Sequence, residues 1–216
     1  GVGRSLAAKR RHSSDLQGSL RTMLIGIDLD NTIVCYDEVF ERLASELELP
    51  GHVPSAGKQA IRDYLRQQNR EDEWTLMQGK AYGSRMSEAQ PFESALEFMA
   101  CARDRGHELC IVSHRTKQPF LGDPVDLHAA AREWLRERGI DQFASVFLEE
   151  TAADKAARIT ALGCDVFIDD LPEFLGRPDF PAKTRKLHFI PSGAGEYRGT
   201  ERVGAWEDIA RLLLDQ

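Results

Sequence analysis

The chain has 216 residues, a formal net charge of −7, 42% hydrophobic residues and 29% charged residues. These values are ordinary for a globular protein with a substantial core, and the length suits one domain or one domain with a sizeable insertion. The acidic balance provides no overall basic field, so neither nucleic acid nor an anionic membrane is expected as a partner.

Residues 1–22 are predicted to be a mobile N-terminal extension. They include a basic run from Lys9 to His12 but no apolar signal-peptide core, and the first methionine is Met23. Because no run of about 18 apolar residues occurs, no transmembrane helix is expected. The four cysteines form neither a Cys-x-x-Cys pair nor a zinc-binding spacing, which favours reduced thiols and a cytoplasmic protein.

The first predicted strand ends in a cluster of polar side chains. An apolar run from Met23 to Ile27 stops at Asp28, and Asp30 and Thr32 follow at intervals of two residues. Such a run predicts a strand buried on both faces, as in a parallel sheet. Ligands of open α/β sheets bind beyond the carboxyl ends of the strands, which is where Asp28 would stand. The alternative interpretation is an ordinary Asp/Asn-rich turn after a strand.

The next stretch has helical rather than α/β periodicity. Apolar residues at helical spacing predict three helices, at 37–48, 55–68 and 71–80. Residues 36–90 are therefore predicted to be a small helical cap inserted after the first strand. Lys80 and Arg85 lie near its return to the core and are candidate substrate contacts, although residues of this kind more commonly belong to a solvated loop.

From Pro91 onward the pattern is that of an α/β fold. Pro91 is predicted to lie in the first turn of a helix that ends near Gly106. Further strands are predicted at 108–112, 145–148, 166–168 and 186–190, and further helices at 127–138, 152–162 and 206–214. This alternation predicts a three-layer, Rossmann-like α/β core with a parallel sheet, formed by residues 23–35 and 91–216.

Chemically active side chains follow several of these strands. A parallel sheet brings the carboxyl ends of its strands to one edge, so these residues are expected to meet: Asp28, Asp30, Thr32, Ser113, Lys155, Asp169 and Asp170. Acids this close repel one another unless a cation relieves the repulsion, and all-oxygen ligation suits Mg²⁺. A hydroxyl and an ammonium group can bind phosphate, and a carboxylate can attack phosphorus. A second carboxylate can protonate the leaving group and later activate water.

These segments resemble, in the same order, the four motifs of the haloacid dehalogenase (HAD) superfamily. The resemblance implies a core with the first strand central and a C1-type cap. It implies that Asp28 is the nucleophile and Asp30 the general acid/base. It further implies that Ser113 and Lys155, together with Thr32, bind the phosphoryl group.

The resemblance also implies a metal site. Mg²⁺ would be held by the Asp28 side chain, the Asp30 main-chain carbonyl and the pair Asp169 and Asp170. The fourth motif is the adjacent-acid variant, which leaves open which of these two acids touches the metal. True dehalogenases of the superfamily lack an acid at the position of Asp30. The predicted function is therefore a Mg²⁺-dependent phosphohydrolase that acts on a small soluble phosphomonoester through an aspartyl-phosphate.

Other functions stay open at this point. A phosphotransferase or nucleotidase could use the same fold, and the chain could be a non-catalytic binding module. A metal-dependent nucleotide-sugar glycosyltransferase also carries Asp-x-Asp, but it leaves Ser113 and Lys155 unexplained. His114 and Arg115 follow Ser113 and could contact the substrate or lie at the surface. The expected partner is a small phosphorylated metabolite, and the chain is expected to be a monomer or homodimer.

Overall fold

The structure is a computed structural model, and it describes residues 21–46, 57–191, 193 and 200–215. In this part of the chain the strands are β1 (Leu24–Ile27), β2 (Val34–Cys35), β3 (Gln90–Pro91), β4 (Glu108–His114), β5 (Ala144–Glu149), β6 (Val166–Asp169), β7 (Arg185–Phe189) and β8 (Glu201–Val203). The α-helices are α1 (Asp37–Glu46), α2 (Gly57–Gln67), α3 (Glu71–Tyr82), α4 (Ala95–Asp104), α5 (Leu127–Glu137), α6 (Ala152–Leu162), α7 (Pro172–Leu175) and α8 (Trp206–Leu214).

Six of these strands form one parallel sheet in the order β5-β4-β1-β6-β7-β8. Strand β1 is central, with Ile25 paired to Leu109 of β4 on one side and to Val166 of β6 on the other. The prediction of a Rossmann-like α/β fold with a central first strand is confirmed. This order places the carboxyl ends of β1, β4 and β6 side by side.

Helices cover both faces of the sheet. Alternate residues of β4 point to opposite faces, so Leu109 and Ile111 pack in a core with α4, α5 and α8. Cys110 and Val112 pack on the other side with α6 and α7. Each face buries aliphatic and aromatic side chains, which explains why the strands read as continuous apolar runs.

The helices α1, α2 and α3 lie between β2 and β3, which pair antiparallel as a two-stranded ladder. The three helices pack on one another, and Phe40 of α1 stacks on Trp74 of α3 at 4.8 Å. The predicted end of the first helix near residue 48 and the start of the second near residue 55 lie outside the described residues. The predicted N-terminal extension also lies outside them, apart from residues 21 and 22.

Several predicted boundaries are wrong. Pro91 does not start a helix; it pairs with Val34 in the β2–β3 ladder, and α4 begins four residues later, after Ser94. Proline is tolerated in this two-stranded ladder because it sits at an edge. The prediction also missed β8 and the short helix α7, because both are too short for a clear periodicity.

Two global features bear on the sequence-based expectations. No helix within the described residues is long and apolar enough to cross a lipid bilayer. The four cysteines are free thiols. Cys110 and Cys164 approach each other to 3.7 Å between sulfur atoms in the core under β1.

The close packing around β1 yields a prediction about stability. A methyl group at Gly26 would meet the Phe167 ring at 2.5 Å and the Cys164 sulfur at 3.0 Å. We expect Gly26→Ala to lower the free energy of unfolding by about 1–3 kcal/mol, the usual cost of overpacking a core. Urea denaturation followed by circular dichroism measures the effect.

The matched control is Gly204→Ala, where the added methyl group would make only an ordinary contact at 3.8 Å. It should stay within about 0.5 kcal/mol of the parent chain. Equal stabilities for the two variants would contradict the close packing described around Gly26.

Candidate active site

The turn after β1 presents the first group of polar residues. The backbone N–H of Asp28 still donates to the Ile168 carbonyl at 2.9 Å, which extends the sheet to that residue. The chain then turns tightly, because the N–H of Val34 bonds back to Leu29 at 3.0 Å and Asn31 adopts a positive φ of 63°. Asparagine tolerates this left-handed conformation better than most residues. Asp28 and Asp30 thus occupy fixed positions at the edge of the sheet.

Lys155 connects the ends of two neighbouring strands. It lies in the first turn of α6, whose N-terminus is capped by the Thr151 side chain. Its Nζ atom donates to Asp28 Oδ1 and to Asp169 Oδ2, both at 2.6 Å, and the side chain is only 2% exposed. Burial lowers the pKa of Lys155, but the charges of Asp169 and Asp28 outweigh burial and hold that pKa above its ordinary value. The ammonium group also lies 4.3 Å from the centre of the Phe174 ring.

Three carboxylates converge beside this lysine. One oxygen each of Asp28, Asp169 and Asp170 lies within 4.8 Å of the others. Burial raises the pKa of Asp28 to about 7; Lys155 opposes this shift, and the charges of Asp169 and Asp30 add to it. Burial and the charges of Asp169 and Asp28 likewise raise the pKa of Asp170 well above its ordinary value. Because one ammonium group faces three acids, the oxygen-rich site fits a divalent cation such as Mg²⁺.

Asp30 has a different set of neighbours. Its Oδ1 atom accepts hydrogen bonds from the Tyr36 hydroxyl at 2.6 Å and from Arg115 Nη2 at 2.9 Å. Its Oδ2 atom lies 3.5 Å from the Ser113 hydroxyl at the end of β4. The Thr32 hydroxyl is nearest to the other acid of the motif, 3.4 Å from Asp28 Oδ2. The two acids are therefore held by separate partners, which suits two different chemical roles.

A cavity of about 570 Å³ lies between the sheet edge and the inserted helices. Among the described residues, Thr32, Ser113 and Asp169 are buried and do not line it. The core contributes Asp28, Asp30, Lys155 and Asp170, and α2 and α3 contribute residues from the opposite side. Small-molecule sites commonly have volumes of about 300–1,000 Å³, and the volume of this cavity falls within that range.

Lys58 of α2 lines this cavity and was not found from the sequence. Its Nζ atom donates to Asn31 Oδ1 at 2.8 Å and lies 5.5 Å from the centre of the Tyr82 ring. Its backbone N–H is bound by the Asp37 carboxylate at 2.8 Å. Asp37 is the first residue of α1, and its side chain caps the start of α2. No local signal in the sequence indicates this contact between helices.

The predicted substrate contacts lie in different environments. His114 lines the cavity, and burial lowers its pKa. Arg115 also lines it, but its terminal nitrogens already bind protein groups. Among the described residues, Lys80 and Arg85 do not line the cavity. Lys80 is exposed, and Arg85 forms ion pairs with Glu46 and Glu88.

Comparisons with known proteins show which fold this is. The sequence matches no known family profile and no curated protein. Solved structures do match: the HAD-hydrolase YfnB from Bacillus subtilis bound to magnesium is 12% identical, with a TM-score of 0.58 and coverage of 90% of this chain and 100% of that one. A predicted phosphatase from Clostridium acetobutylicum is 10% identical, with a TM-score of 0.59 and coverage of 90% and 99%.

A dehalogenase with an intermediate complex is 14% identical, with a TM-score of 0.60 and coverage of 89% and 97%. At such low identities the likeness concerns the fold. The chain therefore has the fold of HAD-type hydrolases, as the four motifs indicated.

The crowded acids yield a prediction about metal binding. Mg²⁺ should raise the melting temperature above that in chelator, and more at about pH 8 than at about pH 5.5, because protons compete with the cation. The sign follows from the raised pKa values of Asp28, at about 7, and of Asp170: as the pH falls, the metal-free folded protein takes up protons on these carboxylates, and each proton competes with the cation. Thermal denaturation with and without chelator measures this difference.

One variant and its control test where the cation binds. Asp170→Asn should lose most of the Mg²⁺-dependent shift, because it removes one of the three converging carboxylates. Asp72→Asn, at an exposed position in the first turn of α3, should retain the shift. An undiminished shift in Asp170→Asn would place the bound cation elsewhere.

Proposed function

We propose that the protein is a Mg²⁺-dependent phosphohydrolase that releases phosphate from a small phosphomonoester. The observation that carries this proposal is the pairing of two separately held acids at one cavity, Asp28 against Lys155 and Asp30 against Arg115. One acid is buried at the sheet edge beside an ammonium group, and the other borders the cavity with one oxygen bound by two donors. This arrangement supplies a nucleophile and a separate proton donor.

The first step transfers the phosphoryl group to the protein. An Asp28 carboxylate oxygen attacks phosphorus while the bond to the leaving oxygen breaks, and Asp30 gives that oxygen a proton. Lys155 and the Ser113 hydroxyl offer a positive charge and a hydrogen-bond donor to the phosphoryl oxygens. A bound Mg²⁺, held by Asp28, Asp169 and Asp170, would neutralise negative charge at the phosphoryl group.

The second step frees the nucleophile. Asp30, now a carboxylate, removes a proton from water, and the resulting hydroxide attacks the aspartyl-phosphate at phosphorus. The bond between phosphorus and the Asp28 oxygen breaks, and inorganic phosphate leaves. Lys155, which bonds to both Asp169 and Asp28 in the structure, would keep Asp28 in position.

Two observations bear on the type of substrate. Both phosphatases and dehalogenases share this fold. The true dehalogenases of the superfamily that the sequence resembles lack an acid at the position that corresponds to Asp30. The presence of Asp30 therefore supports phosphoryl transfer. Lys58 adds a positive charge from α2 close to the catalytic turn, through its bond to Asn31. A further lysine beside Lys155 in the cavity supports a substrate with several negatively charged oxygens.

A metabolite screen tests this proposal. Phosphate release from a panel of phosphorylated sugars, amino acids and nucleotides should depend on Mg²⁺ and disappear in excess chelator. Preferred release from nucleoside phosphates would favour the nucleotidase alternative, and transfer to an added alcohol without phosphate release would favour a phosphotransferase. Absence of Mg²⁺-dependent turnover on every compound would contradict the proposal.

The different roles of the two acids can be separated by mutation. Asp30→Asn keeps the nucleophile, and an activated aryl phosphate needs little protonation of its leaving group, so the phosphoenzyme should form and persist. Asp28→Asn removes the nucleophile, so no phosphoenzyme should form. Intact-mass spectrometry after incubation with the aryl phosphate should show one added phosphoryl group only in Asp30→Asn.

The exposed Asp72→Asn variant serves as the control and should turn over the aryl phosphate like the parent chain. A phosphoenzyme in Asp28→Asn, or a phosphoryl group that peptide mapping places on Ser113, would show that the nucleophile is a different residue.

A further inference from the structure

Arg115 is a buried arginine next to the proposed acid/base. It lies two residues beyond Ser113, directly after β4, and its side chain is 5% exposed. We propose that Arg115 is a positioning residue: it fixes the Asp30 carboxylate for proton transfer and ties it to the two segments that connect the inserted helices to the sheet. This inference rests on the proposed function.

The contacts of Arg115 hold its guanidinium group in one orientation. Nη2 donates to Asp30 Oδ1 at 2.9 Å and approaches the Tyr36 hydroxyl at 3.4 Å. Nη1 donates to the Leu127 carbonyl at 3.0 Å and lies 3.4 Å from the Met86 sulfur. A planar guanidinium with several fixed partners orients a carboxylate more strongly than a flexible ammonium group does.

The bonds to Asp30 are unequally divided between its two oxygens. Oδ1 accepts from both Arg115 and Tyr36, whereas the protein contact of Oδ2 is the longer one of 3.5 Å with Ser113. A general acid/base needs one oxygen within reach of the reacting group. The two hydrogen bonds to Oδ1 hold the carboxylate in place and leave Oδ2 for proton transfer at the cavity.

Stability alone is a weak reason for this ion pair. Removing an arginine and a carboxylate from water costs free energy, and a well-packed apolar pair of similar volume is often equally stable. Within the described part of the chain, Arg115 also has a buried Nε atom without a hydrogen-bond partner. The cost of burying this group is consistent with a role in placing Asp30.

Arg115 also contacts the connections to the inserted helices. Tyr36 follows β2, where the chain enters these helices, and Met86 precedes β3, where the chain returns. The ring of Tyr82, at the end of α3, lies 5.6 Å from the guanidinium carbon. A shift of the helices relative to the sheet therefore moves partners of Arg115, and through Arg115 it moves Asp30.

The test compares leaving groups, because a poor leaving group depends on a proton from the acid far more than a good one does. Arg115→Gln and Arg115→Lys are made in the full chain with Mg²⁺, and single-turnover phosphoenzyme formation is measured with 4-nitrophenyl phosphate and with phenyl phosphate. Arg115→Gln should slow the reaction of phenyl phosphate, which has the poorer leaving group, by about a hundredfold, the loss typical of a misplaced catalytic group. The reaction of 4-nitrophenyl phosphate and the KM values should change little, and Arg115→Lys should recover part of the loss.

Two further variants make the result specific. Arg138→Gln is the matched control: this half-buried arginine bonds the carbonyls of Ala89 and Trp134 near the return connection, and neither of these is a contact of Asp30. Its leaving-group dependence should equal that of the parent chain. Tyr36→Phe removes one bond to Asp30 and retains the ring, so it should change the leaving-group dependence in the same direction as Arg115→Gln, and it decides the question if the Arg115 variants do not fold.

Three outcomes would overturn the inference. A raised KM with an unchanged leaving-group dependence would mean that Arg115 contacts the substrate. An equal loss of the phosphoenzyme-formation rate with both compounds would mean that Arg115 has a merely structural role. An unchanged rate with both would mean that it has no role. Failure of the proposed function itself looks different, because the parent chain would then form no phosphoenzyme from either compound.

Discussion

The bond of Lys155 to two aspartates is the interaction on which the site depends. A buried ammonium group without partners would be too costly, and so would two carboxylates facing each other without a cation. Lys155 resolves both problems by joining Asp28, at the end of β1, to Asp169, at the end of β6, with two bonds of 2.6 Å. The capped first turn of α6 places this lysine over the sheet edge, so the order of the strands and the position of one helix determine the geometry of the acids.

The same interaction leaves the negative charge of the third acid, Asp170, only partly compensated. Asp170 follows directly on Asp169, and its raised pKa reflects burial next to Asp169 and Asp28. Lys155 is already engaged by the other two acids, and the charge of Lys58 opposes the raised pKa of Asp170 only in part, so a proton or an added cation would supply further neutralisation. The phosphate ester proposed as substrate would bring still more negative charge into the cavity. Metal binding and substrate binding are therefore expected to be coupled electrostatically in this protein.

The sequence predicted the α/β core well because its strands and helices depend on local patterns. The helices α6 and α8 begin and end at the predicted residues, and the buried strands β1, β4 and β6 lie where continuous apolar runs occur. Pro91 was misplaced because its role in β3 depends on a partner, Val34, that is distant in the sequence. The three-residue strand β8 was missed because it is too short for a clear periodicity, and only its pairing with β7 defines it.

The unpredicted part of the site consists of contacts between elements. Lys58 reaches Asn31 because the Asp37 carboxylate of α1 caps the start of α2, which fixes where that lysine points. Arg115 could be singled out from its position after Ser113, but its partners come from two connections on either side of the inserted helices. A sequence motif indicates the candidate catalytic groups, whereas tertiary packing determines which other side chains orient them. In this chain those orienting groups lie at the junction between the sheet and the inserted helices, where a shift of the helices would reach the reacting atoms.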